Sequence, residues 1–232
     1  SPEYDDIKQI DKDNDLYLVT NNKKQGVVNS NGSIILYLEY DQIGIDSTKF
    51  ANDKIKNQYL LYNKCIPAKK NGTWDLFDIT GRKITNEEYN DLGYIAGNEK
   101  LSEKNANSVI LVPDYEGIVV KKNNLYGLID SEGRKLLPVS LQAIYSTTSS
   151  GQVTYHMLYN NQEQNVIDYI KKYVRPENSS NNNTTNNNQQ NNNTNSNTEA
   201  NTQTNTTTVN NTATTPTNSQ PQNTMENNQN KQ

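Results

Sequence analysis

The chain has 232 residues and a formal net charge of −4, from 22 Lys and Arg against 26 Asp and Glu residues. This near balance excludes the strongly basic surface of proteins that bind nucleic acids or anionic membranes. No apolar run approaches the ~20 residues of a membrane-spanning helix, and the single cysteine cannot form a disulfide within the chain.

The composition changes sharply at Pro176. All 15 tyrosines and the single tryptophan lie before it, whereas the residues after it are mostly Asn, Thr, Ser and Gln. Such a polar segment has too little apolar surface to offset the entropy that is lost when a backbone becomes ordered. We therefore predict one folded region, 1–175, and a disordered Asn/Thr-rich tail, 176–232. This composition is typical of a flexible spacer or of a self-associating segment, and the spacer is the simpler hypothesis.

Four strand–turn–strand hairpins are predicted in chain order within the folded region. Each first strand is rich in β-branched or aromatic residues, and each turn contains Asn or Gly, which supply the positive φ of a short antiparallel hairpin. The first strands are LYLVT from Leu16, CIPAK from Cys65, GIVVK from Gly117 and YHML from Tyr155; the second strands are GVVN from Gly26, DLFD from Asp75, GLID from Gly127 and NVID from Asn165.

Fixed spacings indicate that these hairpins belong to an internal repeat. In three copies a glycine follows six residues after the position of Gly26, and an aromatic or leucine follows eight residues later. A fourth copy is decayed, with Gln164-Asn165 at the matching position and no turn glycine. Self-similarity of this kind is typical of repeat architectures. The glycines are Gly32, Gly81 and Gly133, and the later residues are Tyr40, Tyr89 and Leu141.

The segments NSNG, DITG and DSEG end the second strands and predict type I turns. Asn or Asp at the first position accepts a hydrogen bond from the backbone two residues on, and glycine at the fourth position takes the left-handed conformation. We therefore interpret Asn29, Asp78 and Asp130 as turn residues rather than as metal ligands.

Glycine also stands inside two of the predicted strands, at Gly26 and Gly127. Glycine inside a strand usually marks a bulge or a close approach of another backbone. We expect Trp74 and Tyr126, which precede this position in their copies, to cover the gap. In the second copy Asp75 replaces the glycine.

A third strand, SIILYL, RKIT or RKLLP, then leads into EYDQI or EYNDL, with which the next unit begins. The last segment, NVIDYIKKYV from Asn165, is either a final strand or a short helix. Either one caps the last apolar edge, as the terminal repeat of an array must.

These segments resemble WG repeats, also called KWG repeats. The family pattern is an aliphatic strand, Lys-Asn-Gly-Lys-Trp-Gly, Leu-Ile-Asp, a turn that ends in Gly, and Tyr-Asp-Asp-Ile. The resemblance covers residues 1–173, although the Trp-Gly pair is intact in no copy. It implies a bacterial, β-rich repeat array that serves as a binding or scaffold module, and it supplies no catalytic residues. The segments that carry it are KNNLYGLIDSEGRKLLP from Lys122, KNGTWDLFDITGRKIT from Lys70 and NNKKQGVVNSNGSIIL from Asn21.

We therefore predict an all-β fold of tandem β-hairpin repeats, about three full copies and a decayed fourth. The array is either an open, solenoid-like one or a closed, propeller-like one, and the sequence leaves both alternatives open.

No catalytic or metal site is predicted. The acidic segment 11–15 begins like an EF-hand loop, but Leu16 and Asn22 stand where that loop needs Gly and a bidentate Glu. Cys65 and His156 are too few for a zinc site, and both fall in first strands, so we interpret them as strand residues rather than as a nucleophilic pair. No carboxylate stands in an apolar sequence context that would raise its pKa. We expect no enzyme activity and no cofactor.

Three functions remain open. We favour a protein-interaction or surface-display module of a bacterial surface or secreted protein, which binds its partner through the long connections 44–64 and 93–116. The second is recognition of cell-wall glycan by exposed aromatic residues, with Trp74 and Tyr126 as candidate contacts, although the tyrosines also suit half-buried packing on strand faces. The third is an accessory region of an enzyme whose catalytic part lies upstream, because the initial SPEYDDI resembles the end of a repeat.

Overall fold

The computed structural model describes residues 4–97 and 105–175, and the predicted disorder of residues 176–232 lies outside this part of the chain. The described residues are mostly β, with several antiparallel sheets, as predicted. Sheet 1 contains β1 (Asp6–Asp11), β2 (Leu16–Asn21), β3 (Lys24–Val28) and β4 (Ile34–Tyr40). Sheet 2 contains β5 (Gln42–Ile43), β6 (Cys65–Lys70) and β7 (Thr73–Asp78).

Sheet 3 contains β8 (Asp91–Leu92), β9 (Leu111–Val112), β10 (Gly117–Lys122), β11 (Leu125–Ile129) and β12 (Lys135–Leu141). Sheet 4 contains β13 (Ala143–Ser149), β14 (Gln152–Tyr159) and β15 (Gln162–Asn165). In every sheet a leading strand pairs with the first strand of a hairpin, whose second strand lies on the far side. The pairing is antiparallel throughout these hairpins.

The four predicted hairpin turns are confirmed. Each joins its strands through two residues with φ between 50° and 86°, which is the type I′ geometry whose twist matches that of the strands. Lys23 adopts this conformation without being Asn or Gly, which shows that strand pairing prevails over the local preference of one residue. The turn pairs are Asn22-Lys23, Asn71-Gly72, Asn123-Asn124 and Asn160-Asn161.

The residue just ahead of each sheet holds the tip of that sheet's own hairpin, a role that the sequence did not reveal. Its side-chain oxygen accepts a hydrogen bond of 2.8 or 2.9 Å from a backbone N–H of the turn. The bond satisfies a donor that a two-residue turn leaves without a ladder partner. The pairs are Asp5 with Asn22, Asp41 with Asn71, Asn90 with Asn123, and Gln142 with Asn161.

The predicted type I turns are also confirmed. Asn29, Asp78 and Asp130 each accept a hydrogen bond from the backbone N–H two residues on, at 3.1, 2.9 and 3.0 Å. The glycine at the fourth position of each turn has a φ of 79°, 88° or 82°. The three side chains therefore serve the backbone, as expected.

Gly26 and Gly127 mark close backbone approaches, as predicted. A Cβ on Gly26 would lie 2.8 Å from the carbonyl oxygen of Leu36, and one on Gly127 would lie 3.0 Å from the backbone nitrogen of Val139. The pairing register shifts beside both glycines, which shows that β4 and β12 are bulged there.

Successive sheets pack face to face and share apolar clusters. Between sheets 1 and 2, Leu18, Val27 and Leu36 pack with Ile66 and Phe77. Burying a side chain of this size contributes roughly 1.5–3 kcal/mol, so these clusters hold the sheets together. The cluster between sheets 2 and 3 includes Cys65, Trp74, Leu76, Leu92, Ile118, Val120 and Ile129, and the one between sheets 3 and 4 includes Val119, Leu128, Leu137, Ile144, Met157, Val166 and Ile170.

Two predicted strands are wrong. The segment RKIT forms no continuous strand, and only isolated bridges join Lys83 and Tyr89 to β7. A side chain replaces part of the ladder there, since the Thr85 hydroxyl accepts from the backbone N–H of Leu76 at 3.3 Å and donates to Asp75 at 3.0 Å.

The segment NVID is not a second strand, because β15 ends at Asn165 and helix α1 (Val166–Tyr169) follows, which confirms the short helix of the two alternatives for the last segment. The side chain of Asn165 caps this helix by accepting from the backbone N–H of Asp168 at 3.1 Å. A π-helical turn, Ile170–Val174, continues it. The hairpin turn also places Gln164, paired with Met157, at the register position of Gly26, one residue before the predicted Asn165.

Candidate binding cleft

Two long connections leave the sheets on the way from one hairpin to the next, and these are the predicted loops 44–64 and 93–116. The first contains a 3-10 helix, Ser47–Asp53, whose first turn is capped by Asp46, which accepts from the backbone N–H of Thr48 at 3.2 Å. Phe50 in this helix is buried in the cluster between sheets 2 and 3. The backbone leaves the helical conformation at Phe50, so the segment kinks there and continues to Asp53.

Three side chains of the first connection bind it to the second connection and to Gly117, the first residue of β10. Oδ2 of Asp53 accepts hydrogen bonds from the backbone N–H groups of Ile110 and Leu111, at 2.6 and 2.8 Å. The hydroxyl of Tyr62 donates to the carbonyl oxygen of Gly117 at 2.9 Å. Lys64 forms an ion pair with Glu116 at 2.7 Å, although both side chains are about half exposed, so the pair contributes little to stability.

A cleft of about 300 Å³ opens between the tied connections. Its volume lies at the lower end of the range for ligand pockets. One wall is aliphatic and the mouth is polar, so the cleft can hold an apolar stem and bond a polar group. The lining residues are Asp53, Lys54, Ile55, Lys56, Asn57, Leu60, Leu61, Tyr62, Asn63, Leu111 and Pro113.

Asp53 is the acidic residue among those that line the cleft. Burial raises its pKa to about 6, although the two backbone N–H groups act in the opposite direction. The expectation that no carboxylate lies in an apolar setting is therefore wrong. The two backbone N–H groups that bond this carboxylate belong to Ile110 and Leu111, which are 57 and 58 positions away along the chain.

The backbone around the cleft is held in a costly conformation. Lys54, Tyr62 and Asn63 have φ values of 48°, 52° and 54°, in the left-handed region that residues with a side chain seldom adopt. Such strain often collects at ligand-binding segments. Burial also raises the pKa of the Tyr62 hydroxyl well above its usual range, so this hydroxyl acts as a hydrogen-bond donor.

The two candidate aromatic contacts lie elsewhere. Trp74 is only 5% exposed, so the expected exposure of its indole is not found. It packs between sheets 2 and 3, and Lys69 lies 5.6 Å above its ring. Tyr126 is half-buried and meets Tyr94 edge to face at 5.1 Å. Both therefore act as packing residues, with Tyr126 offering the larger free surface.

The structure does not join Cys65 to His156. Burial raises the pKa of the Cys65 thiol to about 12, and the thiol donates to the carbonyl oxygen of Ser131 at 3.0 Å. His156 lies on sheet 4 and bonds Thr147 through Nε2 at 2.9 Å. In the acidic segment 11–15, Asp11 accepts from the backbone N–H of Asn14 at 2.7 Å, a turn contact.

Within residues 4–97 and 105–175, no group of three or more His, Cys, Asp or Glu side chains is arranged to hold a metal ion. No helix in the same residues is long and apolar enough to cross a membrane.

Sequence reasoning found the connections but missed Asp53 and Tyr62. The only local signal is the polar, β-poor segment FANDKIKN between two strands, which marks a loop and gives no hint of burial. The partners of both residues come from distant parts of the chain.

A comparison with models of known protein families found no match for this chain. A comparison with curated proteins found none either.

Proposed function

We propose that the protein is a non-catalytic binding module that takes a protein partner into the cleft between connections 44–64 and 93–116. One observation carries this proposal. Asp53 and Lys64 bond the first connection to the second, and Tyr62 bonds it to the start of β10, so the two connections form one fixed, concave surface. Preorganised surfaces bind with less loss of conformational entropy.

We also propose that the four sheets are successive units of a repeat array of the WG type. The shared strand order, the matching hairpin caps and the apolar clusters between successive sheets support this proposal. In such arrays each unit needs its neighbour to bury an apolar face, and insertions collect in loops that serve binding.

The test is a selection of peptides from a random library on the immobilised full chain, followed by affinity measurements with variants. Lys56 is exposed at the mouth of the cleft, so Lys56→Trp blocks the mouth without removing a tie. We expect this variant to bind the selected peptides with at least about tenfold lower affinity. The matched control is Lys171→Trp, on the exposed side of the π-helical turn, which should leave affinity unchanged.

Equal affinities for the two tryptophan variants would contradict the cleft as the binding site. Retention of the full chain by purified peptidoglycan or teichoic acid, combined with no selected peptide, would instead support recognition of cell-wall glycan.

A further inference from the structure

The cleft contains a carboxylate to which no lysine or arginine of the described residues is bonded. Oδ2 of Asp53 accepts both backbone N–H groups, whereas Oδ1 accepts from no donor in the described part of the chain. A half-buried carboxylate has lost hydration, and a bonded cation compensates for that loss best.

The wall beside Asp53 suits a long methylene stem. Ile55 and Pro113 line the cleft with half-buried and exposed apolar surface, above the buried side chains of Leu60, Leu61 and Leu111. Lysine and arginine side chains lay their stems on such aliphatic surface while the charged head group reaches a polar partner. The volume of about 300 Å³ accommodates one such side chain.

The mouth of the cleft is positively charged, in contrast to the carboxylate of Asp53. Lys54 and Lys56 line it and are exposed. They disfavour a ligand that is positive throughout, and they favour an acidic residue beside the cation, because exposed charges select partners mainly through complementarity.

We propose that the cleft binds one lysine or arginine side chain of a protein partner, with its stem against Ile55 and Pro113 and its head group on Oδ1 of Asp53. An acidic residue next to that basic residue contacts Lys54 or Lys56. This inference rests on the proposed function, because it names the chemistry that the same cleft recognises.

The test uses three matched probes on the full ¹⁵N-labelled chain: the N-acetyl methylamides of lysine, arginine and norleucine. Norleucine keeps an aliphatic stem and lacks the cation. We expect the lysine or arginine probe to shift the amide signals of Ile110 and Leu111 in a saturable way, with an affinity at least about tenfold above that of norleucine. Equal affinity for norleucine, or no shift with either cation, would overturn the inference without any variant.

Asp53→Asn supplies the second arm, since the amide oxygen can still accept from both N–H groups. We expect it to abolish the preference for the cation, while Asp114→Asn, an exposed carboxyl in the neighbouring 3-10 turn, keeps it. An unchanged preference in Asp53→Asn overturns the inference. The proposed function fails separately, when Lys56→Trp leaves the affinity of selected peptides unchanged.

Discussion

Sheet 1 differs from the later sheets at one register position of the leading strand. Ile43, Leu92 and Ile144 hold this position in sheets 2, 3 and 4 and are 3%, 5% and 0% exposed, because each faces the preceding sheet. Ile7 holds it in sheet 1 and is 59% exposed. Whether the aliphatic residue at this position is buried therefore depends on the presence of a preceding sheet and not on its own strand.

The turn glycines show the same contrast. A Cβ on Gly81 would overlap the carbonyl oxygen of Ile35 in the preceding sheet, and one on Gly133 would overlap that of Ile84. Gly32 has the same positive φ, but a Cβ there would meet nothing within 4 Å. In the later turns glycine is therefore required both by the positive φ and by the close approach of a backbone oxygen. In sheet 1 it is required by the positive φ alone.

Replacing the turn glycines should have the largest effect on stability, and it separates the requirement for a positive φ from the requirement for close approach. Gly81→Ala should lower the free energy of unfolding by about 4 kcal/mol, because it adds an overlap with a backbone atom to the left-handed strain. Gly32→Ala should cost only about 1 kcal/mol, from the strain alone. Urea unfolding of both variants gives the two values. Equal losses would show that sheet packing places no demand on these turns.

The aliphatic position gives the next largest contrast. Ile43→Ala removes a buried side chain and should cost about 3 kcal/mol, whereas Ile7→Ala should stay within about 0.5 kcal/mol. Thermal and urea unfolding both report the difference. A loss at Ile7 as large as that at Ile43 would mean that the face of sheet 1 is covered in solution.

The hairpin caps should show no contrast, since each acts inside its own sheet. Asn90→Ala removes the acceptor for the backbone N–H of Asn123 and should cost about 1 kcal/mol. Asp5→Ala removes the same bond to Asn22 in sheet 1 and should cost a similar amount. The amide hydrogen of Asn123 should exchange faster in Asn90→Ala, and that of Asn22 should exchange faster in Asp5→Ala. A much smaller loss of stability in Asp5→Ala would show that the cap depends on a neighbouring sheet.

The smallest effect is acid sensitivity of the type I turns. Although burial raises the pKa of Asp78, hydrogen bonds from Thr80 and Arg82 hold it below its usual range. A carboxyl whose pKa is lowered on folding stabilises the fold above its unfolded pKa, and this stabilisation disappears as pH falls below about 4. The effect should stay below about 1 kcal/mol, because Arg82 is exposed and the pair is screened.

Sheet 1 has Asn29 at this place, so its turn should not respond to acid. Unfolding of the natural chain, Asp78→Asn and Asn29→Asp between pH 5 and pH 2.5 measures this. We expect the acid response to weaken in Asp78→Asn and to grow in Asn29→Asp. An identical pH profile for all three would contradict the role of the carboxylate.

Local chemistry made the turns and hairpins predictable. Asn and Gly specify positive φ by themselves, and the Asp-to-Gly turns need only four residues. The end of the folded region was less predictable because Asn165 suits a strand or a helix cap equally well. The two connections could be predicted as binding loops, but the cleft between them could not, because the partners of Asp53 are Ile110 and Leu111, which approach only after two sheets have packed.

The hairpin caps also have a kinetic consequence. They span 17, 30, 33 and 19 positions in sheets 1 to 4. Each doubling of a closed loop costs about 0.6 kcal/mol of chain entropy, so sheets 1 and 4 should close before sheets 2 and 3 during refolding, which pulsed hydrogen exchange would detect as earlier protection at Asn22 and Asn161. In this order of folding the two ends of the folded region form first, and the two connections that line the cleft fold last.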